Sequence, residues 1–276
     1  MIQLFPRIKN RMLLLCACCV ALGGVLIIMN PAANPAATVI LCLIAIAFVI
    51  LAQNLIAANV HNQLLARLYN QLDVEGFLKD YEPLLKVKVK NPNVGLTLRL
   101  HTSNAYCAQG RFDDAIALLS AYPLPSTGRK ENDLLAQFAI ASNLCYCAEQ
   151  KDDLNNAQKY MDKLLELRKQ LEALQAAKPE KKRMAFSTEL NEQGLKLLKT
   201  GKADIEALKS LVQNNTQQLH RITISLWVAR ADLAVNNRRE AETLLKQIVK
   251  LAPELYPGKA AAQMLAELPA KNDAHA

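Results

Sequence analysis

Side chains able to do chemistry are few and widely spaced in this chain of 276 residues. Its four histidines are His61, His101, His220 and His275. None of them stands at helical metal-ligand spacing from a cysteine or a carboxylate. Cys145 and Cys147 lack the two-residue spacer of zinc knuckles and thioredoxin-like sites, and no glycine-rich phosphate loop or nucleophile elbow occurs. The sequence therefore predicts a protein that is not an enzyme, with no catalytic residue, cofactor or metal site.

An uncharged segment near the N-terminus holds two apolar runs. No Asp, Glu, Lys or Arg lies between Arg11 and Arg67, and the segment is broken at 30–35 by two prolines and two asparagines. Each run approaches the length of about 20 residues that a helix needs to cross a membrane. Proline and asparagine end helices and favour turns. We expect a transmembrane hairpin with helices at 12–29 and 36–58.

Charge sets the expected orientation of this hairpin. Arg7, Lys9 and Arg11 precede the first span, the turn carries no charge, and many Lys and Arg follow the second span. Positive residues stay on the cytoplasmic side. We therefore expect a multi-pass integral protein of the bacterial plasma membrane, with a cytoplasmic segment 1–11 and both termini cytoplasmic.

Three other interpretations of the N-terminus are weaker. A secretory signal peptide would have only a poor cleavage site at 32–37, and the second span would still anchor the product. A lipoprotein signal ending at Cys16 or Cys18 would have too short an apolar region. Two buried helices of a soluble protein would not explain so long a gap in charge. Inside the spans, Gly23 and Gly24 indicate a helix-packing notch.

The tail has the composition of helices. Ala, Leu, Lys, Gln and Glu are plentiful, Gly and aromatic residues are scarce, and the one alternating run, at 85–90, reads as a helix end leading into a loop. This predicts an all-α fold. The tail carries 30 basic and 25 acidic residues, an excess too small to indicate nucleic acid. The basic runs at 86–90 and 178–183 favour solvated surface, with contact to anionic lipid as the alternative.

The cysteines fall into two groups. Four of the seven lie in the spans, where Cys behaves as a small apolar residue. Cys107, Cys145 and Cys147 lie in the tail, where we expect reduced, packed thiols.

The residues around Gly110 predict a helix–turn–helix unit. A helix bearing Tyr106 ends at this glycine, which permits a sharp reversal, and Ala115 lets the next helix approach closely. The passage resembles the tetratricopeptide repeat, a helix pair of about 34 residues. Tyr106, Gly110, Phe112 and Ala115 match its large aromatic, Gly, aromatic and Ala positions at the family's spacing.

The resemblance has limits. Arg99 and Ser103 stand where the family usually has Trp and Gly, and the second helix breaks early, at Pro123. A second unit places Asn236 at the turn and Ala241 at the small position. Three further units match less well. They are 143–174, with Tyr146, Ala157 and two extra residues in its turn; 189–211, with Gly194, Gly201 and Ala207; and 64–85, with Tyr69, Phe77 and Tyr81.

The resemblance implies an α-solenoid of stacked helix pairs, with a generic helical bundle as the alternative. We expect one subarray at 62–178, a second at 184–268, an exposed basic linker from Lys178 to Arg183, and a disordered tail at 269–276. The first subarray ends in a long helix with an apolar seam, which packs on its neighbours or, alternatively, forms an arm that makes the protein a homo-oligomer. The seam residues are Tyr160, Leu164, Leu167, Leu171 and Leu174.

Stacked helix pairs create a concave surface lined by their first helices, which suits a peptide or a partner helix. The resemblance places Asn104 and Arg230 in that groove, as tentative protein-binding residues. Leu100 stands where carboxylate-binding members carry a Lys. The sequence thus predicts a membrane-anchored cytoplasmic scaffold or adaptor for a protein or peptide partner, with no small-molecule substrate. The alternative is a structural subunit of a membrane complex assembled through the hairpin.

Overall fold

The computed structural model describes residues 4–29, 34–89, 91–123, 128–174 and 178–268. Over these residues the chain forms twelve α-helices joined by short turns, and no strand occurs among them. The predicted all-α fold is confirmed. The expected turn at 30–35 and the expected disordered tail at 269–276 lie largely or wholly outside the described residues.

The helices divide between two compact units, one holding residues 4–66 and 86–89 and the other residues 67–85 and 91–268. A π-helical turn (Arg67–Gln71) precedes α3 and a 3-10 turn (Glu82–Lys86) follows it. The helices are α1 (Pro6–Met29), α2 (Pro35–Ala66), α3 (Val74–Tyr81), α4 (Pro92–Ala108), α5 (Phe112–Ser120), α6 (Lys130–Gln150), α7 (Leu154–Ala173), α8 (Lys178–Thr200), α9 (Ile205–Gln213), α10 (Gln218–Ala234), α11 (Arg238–Leu251) and α12 (Tyr256–Glu267).

The first unit contains the apolar pair α1 and α2. Both helices are long and apolar enough to cross a membrane, and almost none of their apolar side chains is buried. They pack against each other where a side chain at Gly23 would overlap the Sγ of Cys42. Small residues allow such close approach, so Gly23 acts as the predicted notch, whereas Gly24 has open space beside it.

Both apolar helices extend beyond the predicted spans. α1 begins at Pro6 rather than at residue 12, and α2 runs to Ala66 rather than to residue 58. Good helix formers continue past the apolar run, and a helix does not end where hydrophobicity ends. At the other end, the Asn34 side chain accepts a hydrogen bond from the amide of Ala36 (3.0 Å), while Pro35 occupies the first helical position.

The second unit contains four helix hairpins, α4–α5, α6–α7, α8–α9 and α10–α11. Each reverses at one residue in the left-handed backbone region: Gly110 (φ 79°), Asp152 (φ 56°), Gly201 (φ 67°) and Asn236 (φ 60°). Glycine, asparagine and aspartate are the residues that adopt this conformation most readily. The predicted turns at Gly110 and Asn236 are therefore confirmed, and of the two glycines noted in the unit 189–211 it is Gly201 at which the chain reverses.

Three of these hairpins share one register. A fully buried alanine follows the turn residue by five positions in each, at Ala115, Ala157 and Ala241. The turn between α6 and α7 has the same length as the other two, so the two extra residues expected there are not present. The error came from equating Tyr146 with Tyr106. In the structure Tyr146 takes the place of Asn104, six residues before the turn residue, which is also the position of Arg230.

The expected basic linker is helical. α8 begins at Lys178, and residues 181–183 form exposed positions within it. The predicted exposure is confirmed for residues 181–183, but the prediction of a linker between helices is wrong, because one proline near a helix start is compatible with the helix. The apolar seam of α7 is buried through Leu164, Leu167 and Leu171, within the core that α7 forms with α6 and α8. This is the packing interpretation of the seam rather than the protruding arm.

The two ends of the second unit come together. The ring of Tyr69, in the π-helical turn, lies 5.1 Å from that of His220 in α10. The ring of Tyr256, in α12, meets that of Phe112 edge-on, with centroids 4.8 Å apart. The stack of hairpins is thus closed on itself, and its first helices surround a common space.

The alternating run at 85–90 is not a strand. The 3-10 turn ends at Lys86, and irregular backbone follows to residue 89. The side chain of Asn91 then caps α4 by accepting a hydrogen bond from the amide of Asn93 (2.9 Å). The predicted helix end and loop are confirmed for the described part of this segment.

Candidate binding cavity

The first helices of the four hairpins line a central cavity of about 230 Å³. Its lining residues are Asn104, Cys107 and Ala108 of α4; Ser142, Asn143 and Tyr146 of α6; Phe186, Ser187, Leu190 and Asn191 of α8; and Leu219, His220, Thr223 and Ile224 of α10. First helices lining a concave surface are what the sequence predicts. The difference is that the array closes around this surface instead of leaving an open groove.

The lining of the cavity is mostly apolar, with several polar groups and no formal charge. No Asp, Glu, Lys or Arg occurs among the described residues that line it. Burial lowers the pKa of His220 to about 4, so this imidazole is neutral near pH 7. Amide, hydroxyl and imidazole groups therefore alternate with apolar side chains around the space. Such a lining suits a neutral group that both donates and accepts hydrogen bonds.

Asn191 provides the most strongly held polar group of this cavity. Its side chain is 2% exposed, and its Nδ2 donates to the Oγ of Ser142 (3.0 Å) and to the carbonyl of Ser187 (2.7 Å). For Oδ1, no hydrogen-bond partner lies within the part of the chain that the structure describes. A buried acceptor without a donor is costly, so Oδ1 is a preferred position for a donor from outside the chain.

Asn104 lies in the central cavity, as predicted. Its Nδ2 donates to the hydroxyl of Tyr69 (2.8 Å), which also lies 2.7 Å from Nδ1 of His101. Burial raises the pKa of Tyr69, so its hydroxyl remains protonated. The network fixes the amide of Asn104 at the wall of the cavity.

Arg230 lies elsewhere. It lines a second cavity of about 320 Å³ formed by the C-terminal part of α6 together with α8 and α10. Tyr146 of the central cavity stacks on Trp227 of the second, with ring centroids 5.8 Å apart. The structure therefore places the two predicted binding residues in neighbouring cavities and not in one groove.

Three tail cysteines are buried and free, in line with the expected packing. The Sγ atoms of Cys107 and Cys147 lie 3.4 Å apart, and this contact together with burial raises the pKa of Cys107 well above its usual value. Protonated thiols of this kind are poor nucleophiles. Among the described residues, no three His, Cys, Asp or Glu side chains gather as a metal ion would require.

Several cavity residues escaped the sequence analysis. Ser142, Asn191 and Thr223 lie on the first helices of their hairpins, and a correct register at Tyr146 would have drawn attention to α6. Glu149 and Trp227, in the second cavity, have no motif of their own. Their position depends on contacts between α6, α8 and α10 that no local pattern encodes.

No protein-family model, curated protein or solved structure gives a significant match to this chain.

Proposed function

We propose that the protein is a membrane-anchored adaptor whose helical array binds a neutral, polar segment of a protein partner in the central cavity. The observation that carries this proposal is the uncharged lining, together with the buried Oδ1 of Asn191, for which the described residues provide no hydrogen-bond donor. A peptide backbone presents N–H donors and C=O acceptors without charge, which is the complement of this surface.

The membrane anchor is proposed from α1 and α2. Their length, apolar composition and exposed side chains support insertion as a hairpin. Arg7, Lys9 and Arg11 are exposed on the first turns of α1, and the positive-inside rule places them in the cytoplasm. The array would then lie on the cytoplasmic side of a bacterial plasma membrane.

We further propose that the array is related to tetratricopeptide repeats. The left-handed turn residue and the buried alanine five positions later, repeated in three hairpins, support this relationship. The intervals between successive turn residues, 42, 49 and 35, depart from the family's regular period of about 34 residues. The lengthening arises mainly from the long helices α6, α7 and α8.

Two threonines offer a matched test of partner binding. Thr223 lines the central cavity and Thr243 is exposed on α11, and each donates the same hydrogen bond to the carbonyl four residues before it (3.0 and 2.8 Å). We expect Thr223→Phe to fill the cavity and abolish recovery of the partner with the full-length protein from solubilised membranes. Thr243→Phe should leave that recovery unchanged. Equal recovery with both variants would refute binding in this cavity.

In the alternative, a structural subunit of a membrane complex, α1 and α2 themselves bind the partner. Replacing α1 and α2 with an unrelated transmembrane hairpin should preserve partner binding if the array is the binding element. Loss of the partner upon this replacement, with the array intact, would favour assembly through the hairpin.

A further inference from the structure

The second cavity contains buried polar groups whose hydrogen-bonding capacity the fold does not use. It lies between the C-terminal end of α6, the C-terminal part of α8 and the C-terminal half of α10. Its polar lining residues are Glu149, Gln150, Asp152, Trp227 and Arg230, of which Asp152 is exposed to solvent, and Leu197 and Leu198 form its apolar wall. None of these residues contributes to the central cavity.

Glu149 is the first of these groups. Its side chain is 5% exposed, and one carboxyl oxygen, Oε1, accepts a hydrogen bond from the thiol of Cys145 at 3.4 Å. For the other, Oε2, no partner lies among the described residues. Burial raises the pKa of Glu149 well above its usual value. A carboxyl group that is buried with one unsatisfied oxygen is stabilised by any cationic donor that reaches it.

Trp227 and Arg230 supply hydrogen-bond donors to this cavity, one neutral and one cationic. The indole of Trp227 is 2% exposed, and its Nε1 finds no acceptor within the described chain. Arg230 forms two long hydrogen bonds, to Gln150 Oε1 and to the hydroxyl of Tyr256, both at 3.5 Å. No carboxylate pairs with its guanidinium among the described ion pairs. Its planar fork is therefore available to a ligand carboxylate.

We propose that this cavity binds a free α-amino acid, with the ammonium group at Glu149, the carboxylate at Arg230 and the side chain against Leu197 and Leu198. A simple anion would leave the carboxyl oxygen Oε2 of Glu149 without a donor. A simple amine would lie beside the cation of Arg230. A zwitterion satisfies both groups at once. This ligand goes beyond the adaptor role, and it is bound rather than transformed.

Gly194 helps to form this site. A Cβ atom at this position would lie 2.6 Å from Oε2 of Glu149 and would overlap the six-membered ring of Trp227. The missing side chain allows both residues to pack against α8. The packing of Glu149 and Trp227 against Gly194 thus both forms the wall of the site and buries these two polar side chains.

Calorimetry on the full-length protein in detergent tests the proposal, after a thermal-shift screen of each proteinogenic amino acid. For an apolar ligand such as L-leucine, we expect 3-methylbutylamine and 4-methylpentanoate, which each lack one charged group, to bind at least about tenfold more weakly. Binding should also release protons, because an ammonium group favours ionised Glu149; titrations in buffers of different ionisation enthalpy measure this release. Failure of every amino acid to bind would overturn the proposal. A half-ligand that binds as tightly as L-leucine would overturn it as well.

Variants assign the two ends of the ligand. Glu149→Gln and Arg230→Gln should each weaken amino-acid binding by roughly tenfold to a hundredfold, because each removes one charged partner. Glu240→Gln and Arg239→Gln make the same changes at exposed positions of α11 and should have no effect. Should Arg230→Gln fail to fold, Glu149→Gln still decides, since it retains the shape of a neutral carboxyl group. Unchanged affinity in Glu149→Gln would contradict the assignment. Loss of amino-acid binding with partner recovery intact would separate this site from the adaptor function.

Discussion

Trp227 of α10 packs against the backbone of α8 at Gly194, where any side chain on residue 194 would overlap its ring. Trp227 also stacks on Tyr146 of α6, so this contact joins three first helices at the boundary between the two cavities. We expect Gly194→Ala to destabilise the array by about 1–3 kcal/mol, as overpacking a well-filled core does. Thermal unfolding followed by circular dichroism would measure the loss.

Gly24→Ala is the matched control for that substitution. Gly24 also lies within a helix, but open space surrounds its Cα. Unfolding of the array should therefore be unchanged in this variant. An equal loss of stability in both variants would show that the Gly→Ala change itself, and not the contact with Trp227, lowers the stability of the array.

Ala115 marks the close approach of α4 and α5. Its side chain is fully buried, and Ala115→Leu should destabilise the array by about 1–3 kcal/mol because the hairpin has no room for the added volume. Ala117→Leu introduces the same side chain at an exposed position of the same helix and should change the free energy of unfolding little. Urea titration of both variants provides the comparison. Similar midpoints would mean that α5 does not pack closely through Ala115.

Acid should weaken the array through His220. Burial lowers its pKa to about 4 in the folded state, whereas the unfolded chain takes up a proton near the ordinary value of 6.5. Between these values the unfolded state binds more protons, so stability is complete above pH 6.5 and is lost as the pH falls towards 4. The loss amounts to about 3 kcal/mol at most.

The variant His220→Phe removes this titration while keeping an aromatic ring beside Tyr69. Melting temperatures measured from neutral pH down to pH 4 should fall less steeply in the variant than in the natural chain. Parallel curves would show that another group controls the acid response.

Local parts of this fold were predictable from the sequence. Gly110 and Ala115 predict a helix hairpin. The backbone freedom of the glycine and the small size of the alanine are properties of the residues themselves. Asp152 is the turn residue of the second hairpin. Because aspartate also begins helices, the sequence does not identify it as the turn residue, and equating Tyr146 with Tyr106 then shifted the predicted register. Lys178 was assigned to a linker on composition, although a proline beside a helix start is compatible with the helix.

The cavities were not predictable in the same way. They depend on the closure of the array, in which Tyr69 meets His220 and Phe112 meets Tyr256 across more than a hundred residues of sequence. Such contacts leave no periodic pattern. Asn104 reached a cavity as predicted, because its place on the first helix follows from the hairpin register alone.

The orientation of the chain has a direct test. A reporter fused after Ala276 should be active in a form that works only in the cytosol and silent in a form that works only after export, because the positive-inside rule predicts that Arg7, Lys9 and Arg11 keep the N-terminal end of α1 in the cytoplasm. Fusions that report the reverse would place the array outside the cytoplasm and would overturn the proposed adaptor role there.

Site-specific photocrosslinking in living cells tests the proposed binding function most directly. A photoreactive amino acid replaces Asn143, which lines the central cavity, or Thr243, which is exposed on α11, in the full-length protein. The adaptor proposal predicts one protein partner crosslinked from position 143, through the same short segment in repeated experiments, and not from position 243. Mass spectrometry of the crosslinked peptide should identify a segment without charged side chains at the point of attachment. No crosslink from position 143, or the same partner from both positions, would contradict binding in the central cavity.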